Sequence, residues 1–267
     1  MREYHPGCEG GHEMKVALIT PTAFLRRFAT TDYHLVLAQQ YIRDEKYRRF
    51  YKERVAAGDH VMLDNGAYEL GQSIPTAKLI EIAEDLNPTA VYLPDARFDT
   101  AKTISLMEEA LPKFKGRGWK LLGVPQGNSL EGVLECYQWI LSNSDIDGFG
   151  IYEEVGEVTG LGRRWDFLDY LQKEKLVDDR MYYHMLGMEE DLVNIKYLAR
   201  FKFVSGIDSA KPIVYGLWGI RFDEDLGPIC PYPHRQKSYF NIEYTSFGDI
   251  VNHNIQCTLK WARNSAI

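Results

Sequence analysis

The chain has 267 residues, a formal charge of −7, 45% apolar residues and four cysteines. That length fits one large α/β domain or two small ones, and that apolar share allows a sizeable core. No apolar run approaches the roughly 18–20 residues of a membrane span, and the first run, Val16 to Ile19, is too short for a signal-peptide core. Cys8, Cys136, Cys230 and Cys257 are too few for a disulfide framework, so the expectation is a soluble, cytoplasmic protein. The negative charge excludes nucleic-acid binding through bulk charge alone, though not through a local basic surface.

Short apolar runs recur along the chain, several nearly continuous, as in strands buried on both faces of a parallel sheet. In order they are 15–20 (KVALIT), 34–38 (HLVLA), 60–64 (HVMLD), 90–94 (AVYLP), 120–125 (KLLGVP), 148–151 (GFGI), 182–186 (YYHML) and 203–207 (FVSGI). Between them, 76–86, 101–111, 130–141, 164–174 and 190–200 carry the i, i+3, i+4 apolar spacing of amphipathic helices. Pro75 and Thr76 open one of these, and Ser129 is placed to cap another. Eight strands alternating with helices predict a (β/α)₈ TIM barrel. The gap between the first two strands is too short for a full helix, so that first unit is expected to be degenerate. An open doubly wound sheet is the alternative, but no glycine-rich phosphate loop follows any strand. After Asp208 the pattern loosens over 212–233 and ends in a helix near 247–263. The expected organisation is a tail, 1–14, then one barrel domain, 15–267, with 212–267 as a C-terminal loop-helix extension.

Barrels of this kind carry their chemistry at the carboxyl ends of the strands. There the sequence places Asp64 and Tyr68 after strand three, Asp95 after strand four and Gln126-Gly127 after strand five. Gly150 lies at the end of strand six, Met185 near the end of strand seven and Asp208 at the end of strand eight. Each acid alone reads as a turn former or helix cap, and Asp64-Asn65-Gly66 as nothing but a turn. Three carboxylates on one rim are harder to dismiss. Crowded in a cleft they repel, which raises one pKa and leaves another group ionised, giving an acid/base and a nucleophile. A carboxamide beside an acid matches the edge of a purine-like base, and a tyrosine face can stack on it.

The order of these motifs resembles the tRNA-guanine transglycosylase superfamily. It runs Asp-x-Gly-x-aromatic (64–68), a strand-end Asp95, Val-x-Gln-Gly (124–127), Asp-Gly-aromatic-x-Ile (147–151) and Gly-x-Asp (206–208). The resemblance extends from about residue 60 to the C-terminus; each motif is weak alone, and the ordered spacing carries the match. It implies a barrel that exchanges guanine in a nucleic acid for a 7-deazaguanine, such as preQ0, by double displacement, with no organic cofactor. Carried over by position, Asp208 is the nucleophile and Asp64 the general acid/base. Asp95, Gln126, and the Gly127 and Gly150 backbone would hold the base edge, Tyr68 would stack on it and Met185 would close the far side. The scheme parallels retaining glycosyl transfer, in which one carboxylate forms the covalent intermediate and a second handles protons.

The chain also departs from the family. The zinc-binding cysteine triplet of the tRNA enzymes is missing; instead Cys230 and His234, with His253 and Cys257, offer a structural zinc set. The alternative is a buried core Cys257, a surface His234 and no metal. The loop after strand six, IYEEVGEVTGLGRRW, lacks the glycine pair of the tRNA enzymes. The compact chain looks more like the phage and bacterial DNA 7-deazaguanine transglycosylases, which makes DNA the expected partner over tRNA and, for a phage-encoded protein, places it in the host cytoplasm. Residues 43–54 carry six basic and three acidic residues with aromatics interleaved. Arg43, Lys46, Arg48 and Arg49 there, with Arg221, Arg235 and Lys237, are the candidate phosphate contacts. Residues 113–120 (KFKGRGWK) precede strand five and belong to the opposite end of the barrel. The competing readings are the same exchange on tRNA, a nucleoside or glycoside hydrolase, and a non-catalytic nucleic-acid-binding relative. A homodimer or an accessory protein fits any of them.

Overall fold

The computed structural model describes residues 13–188, 194–228 and 239–263. Eight strands alternate with helices: β1 (Lys15–Leu18), α1 (Leu25–Phe28), β2 (Tyr33–Val36), α2 (Ala38–Arg43), α3 (Glu45–Ala56), β3 (His60–Leu63), α4 (Ala67–Leu70) and α5 (Thr76–Leu86) form the first part. Then follow β4 (Ala90–Tyr92), α6 (Thr100–Phe114), β5 (Lys120–Gly123), α7 (Leu130–Ser142), β6 (Gly148–Tyr152), α8 (Val155–Val158) and α9 (Arg164–Lys173). The last part is β7 (Tyr182–Leu186), α10 (Asn194–Leu198), β8 (Val204–Ser209), α11 (Lys211–Leu217) and α12 (Gly248–Arg263).

The strands form one all-parallel sheet in the order β1-β8-β7-β6-β5-β4-β3-β2. Its two edge strands, β1 and β2, lie against each other, so the sheet curls into a nearly closed TIM barrel. As expected, the first unit is degenerate, with only a 3₁₀ turn and the four-residue α1 between β1 and β2. Local chemistry starts the longer helices: Asp44 caps α3 through Lys46 and Tyr47 N–H, Asp99 caps α6, and Ser129 caps α7.

The loop-helix extension expected after residue 212 is present, and its helix docks on the barrel. α12 packs on α11, α10, α1 and β1, and Met14 N–H donates to Ala262 O at 3.3 Å. It therefore fills the place of the barrel's eighth outer helix, between the helices of the seventh and first units. A close approach to α11 is allowed by Gly216, where a Cβ would fall 2.6 Å from Val251 Cα. The long connection after α11 hides this role in the sequence. Among the described residues no helix is long and apolar enough to cross a membrane.

Strand alternation sorts side chains between barrel interior and helix layer. On β7, Tyr182, His184 and Leu186 point inward. Tyr183 points to the helices, where it stacks with Phe149, itself stacked on Tyr137 of α7 at 4.3 Å. Met185 shares the outward parity of Tyr183 and is fully buried.

Candidate active site

At the carboxyl ends of the strands lies a cavity of about 130 Å³, walled by Asp64, Tyr68, Asp95, Gln126 and Asp208 together with residues the sequence did not mark. Five positions expected at the site therefore share one pocket. The turn after β3 shows how. Asp64 Oδ2 accepts the Gly66 N–H at 2.9 Å, and Gly66 sits at φ 80°, a left-handed backbone that glycine adopts without penalty. That tight reversal starts α4 at the barrel mouth and sets Tyr68 on its rim, 46% exposed. The acid and the aromatic thus reach the same pocket from opposite sides of one turn.

Asp95 is held by a side-chain amide on each oxygen. Asn65 Nδ2 donates to its Oδ1 at 2.6 Å and Gln126 Nε2 to its Oδ2 at 2.6 Å. Gln126 Oε1 accepts the backbone N–H of Phe98 at 3.0 Å, and Phe98 has φ 62°. A bulky residue there costs about 1–2 kcal/mol, and the glutamine carbonyl helps to pin it. Each amide atom of Gln126 keeps one unused bonding position, as does each Asp95 oxygen. Burial pushes Asp95 up to about 6 against the lowering effect of the Asn65 and Gln126 bonds. Asp64 is held well above the ordinary carboxylate range, first by burial and then by the charge of Glu69, with Asp95 and Asp208 adding to it. Asp208 Oδ1 accepts from His184 Nε2 at 3.1 Å and from the Gly187 N–H at 3.0 Å.

Sequence reasoning missed much of the wall. Tyr152 is 7% exposed and its hydroxyl has no hydrogen-bond partner among the described residues. Arg97 lies 4.9 Å from the Tyr68 ring centre and 4.7 Å from that of Phe98, and its guanidinium pairs with Glu154 at 2.6 Å. Lys211, 2% exposed, brings a cation three residues after Asp208. Glu69, Glu153 and Glu154 add carboxylates, so six acids face two cations in the lining. Only Lys211 had a visible signal, a strand-end Asp-x-x-Lys; the others depend on how loops fold over the mouth.

Three expectations do not hold in place. Met185 points away from the pocket by strand parity, and its neighbours Leu186 and Met188 line the wall instead. Gly127 and Gly150 are absent from the lining and serve packing: a Cβ at Gly127 would fall 2.5 Å from Val133 N, and one at Gly150 2.5 Å from Tyr92 Cε1. In 43–54, Tyr47, Phe50 and Tyr51 are buried in the core, so they do not share the surface with the basic residues.

Of the basic residues of that segment, Arg43, Lys46, Arg48 and Arg49 stand at the mouth end, since α2 and the start of α3 follow the carboxyl end of β2. Arg43, Lys46 and Arg49 are exposed, Arg49 pairs with Glu45 at 3.0 Å, and Arg48 lies over the Tyr41 ring at 5.9 Å. Lys46 and Arg49 share an open groove with Arg26 and Phe240. Arg221 is exposed on the connection before α12. Arg235, Lys237, Cys230 and His234 lie outside the described residues.

Of the four residues of the zinc set, His253 and Cys257 are neighbours, with Sγ 3.4 Å from Nε2. That nitrogen also meets Phe222 O at 2.9 Å, a contact in which it must donate. It therefore carries a proton, and a metal would have to take Nδ1. Among the described residues no group of three or more potential metal ligands gathers. No known family model matches the chain, and no curated protein matches it either.

Proposed function

We propose that the protein is a base-exchange transglycosylase that replaces guanine in DNA with a 7-deazaguanine through a covalent aspartyl-glycosyl intermediate. The observation that carries this reading is the gathering of Asp64, Asp95, Gln126 and Asp208 around one pocket, with Asp64 held above the ordinary carboxylate range and Asp95 clamped beside an amide. A lone pair of Asp208 attacks the sugar C1′. The C1′–N9 bond breaks, its electron pair leaves with guanine, and Asp64 supplies the proton the base takes up. In the second displacement the incoming base gives a proton back to Asp64. Its N9 bonds to C1′, and the ester electron pair returns to Asp208.

The remaining groups fit a base in the pocket. Asp95 oxygens and the spare Gln126 positions suit the N–H-rich edge of guanine, and the Tyr152 hydroxyl offers one further bond. Tyr68 stands on the rim of the pocket beside the Arg97 guanidinium, where an aromatic ring suits a stacked base. The acidic lining disfavours phosphate inside, so the nucleic-acid backbone stays on the rim, where Arg43, Lys46 and Arg49 stand. A duplex target must flip its base, at about a few kcal/mol, or be single-stranded already. Zinc, if bound, is structural and enters no step.

The test is incorporation of labelled 7-deazaguanine into duplex DNA, single-stranded DNA and tRNA. Label in DNA, lost in Asp208→Asn, is the expected result. Label in tRNA alone would keep the chemistry and overturn the substrate, and label in none of them would favour a hydrolase.

A further inference from the structure

Beneath the cavity, behind Asp208, the barrel interior holds a line of polar side chains to which the reaction above gives no role. Asp208 Oδ1 meets His184 Nε2 at 3.1 Å, and His184 Nδ1 meets Tyr33 Oη at 2.7 Å. Tyr33 Oη meets Tyr182 Oη at 2.5 Å, and Tyr182 Oη meets His60 Nε2 at 3.3 Å. The line descends from the strand ends to the opposite end of the barrel, where Tyr33, His60 and Tyr182 each open their strand. The fold makes room for it: a Cβ at Gly206 would fall 2.6 Å from the Tyr33 ring.

Counting protons gives every bond a direction. An ionised carboxylate only accepts, so His184 Nε2 carries the hydrogen and donates to Asp208. A neutral imidazole has one N–H, so Nδ1 accepts, and Tyr33 is its donor. With its one hydrogen spent, Tyr33 accepts from Tyr182, and Tyr182 in turn accepts from the His60 Nε2–H. Burial lowers His60 to about 4 and raises Tyr33, so both stay neutral at ordinary pH. The titratable groups facing His184 are Tyr33 of β2, His60 of β3, Tyr92 of β4, Tyr182 of its own strand and Asp208 of β8.

A second donor meets the same oxygen. Gly187, at φ 66°, aims its N–H at Asp208 Oδ1 from 3.0 Å. Its carbonyl accepts from Arg164 at 2.9 Å, and the same guanidinium binds Leu186 O at 2.8 Å and Ile151 O at 3.2 Å. Both donors take Oδ1, and among the described residues none reaches Oδ2.

We propose that His184 is a positioning residue, locked as its Nε2–H tautomer by Tyr33, Tyr182 and His60, and that it fixes Oδ2 of Asp208 as the attacking atom. The proposal rests on the reading of Asp208 as nucleophile. Oδ1 keeps its two donors when it becomes the ester carbonyl oxygen. The same donors stabilise the carboxylate released in the second displacement.

The decisive experiment is nitrogen NMR of ¹⁵N-histidine-labelled, unliganded protein, which needs no turnover and so judges the proposal apart from the assigned reaction. His184 is expected to carry its hydrogen on Nε2 and none on Nδ1. A hydrogen on Nδ1 would overturn the proposal. In the exchange assay, His184→Phe is expected to lower kcat about 10²-fold with KM for the free base little changed, and His184→Gln to recover much of it. Tyr33→Phe removes only the hydroxyl and is expected to mix the His184 tautomers and lower kcat. Wild-type tautomer and wild-type kcat in Tyr33→Phe would sink the relay. A protein that incorporates no base yet shows the Nε2–H tautomer would remove the function while leaving the locked histidine standing.

Discussion

Asp95 accepts one hydrogen bond on each oxygen inside a wall where burial works against its charge. As a base-binding group it must be ionised to accept from ring N–H donors. With its pKa pushed up to about 6, the acceptor is present above that pH and is lost as pH falls through it. Guanine binding, followed by calorimetry, is expected to weaken below about pH 6, and Asp95→Asn to bind weakly with that dependence gone. Undiminished binding at low pH would remove Asp95 from the base edge. Asp64, Asp95, Gln126 and Asp208 were legible in the sequence because each closes an apolar run, and strand ends converge in this fold. Arg97 and Tyr152 were not, since nothing in their spacing says which loop folds over the mouth. Met185 was misassigned by one residue, and in a strand one residue turns a side chain to the opposite face.

In the elements, the strand runs and the helices at 76–86, 101–111, 130–141 and 164–174 were readable from periodicity alone, and Ser129 caps its helix as expected. What periodicity cannot supply is the fit between neighbouring strands. Gly150 is an interior position of β6 kept bare because a Cβ would fall 2.5 Å from Tyr92 and 2.7 Å from Leu186 Cδ1. Gly150→Ala is expected to destabilise by about 1–3 kcal/mol, seen as a Tm lower by several degrees. An unchanged Tm would mean that the barrel floor relaxes freely. Residues 43–54 show the other limit. Their charges read as a basic surface, but helical spacing turns Tyr47, Phe50 and Tyr51 inward, so the basic and aromatic groups serve opposite faces of α3.

For the whole molecule, α12 decides whether the barrel's ring of helices closes. Trp261 is fully buried in it, stacks with Phe222 at 6.0 Å and donates from Nε1 to Glu224 O at 2.7 Å. Trp261→Ala is expected to cost about 3–5 kcal/mol and to lower one cooperative melting transition. Separate melting of α12 and barrel would show that the docked helix is not part of one cooperative unit. The pocket's chemistry also belongs to this scale, because its four key side chains come from β8 and from the turns after β3, β4 and β5. The step on which the proposed exchange turns is a covalent bond between Asp208 and the sugar. The direct measurement incubates the protein with guanine-containing DNA and no free base, then runs a denaturing gel. A protein–DNA adduct is expected that is chased by added guanine or 7-deazaguanine and never forms with Asp208→Asn. Base exchange without any adduct, or an adduct that persists in Asp208→Asn, would contradict it.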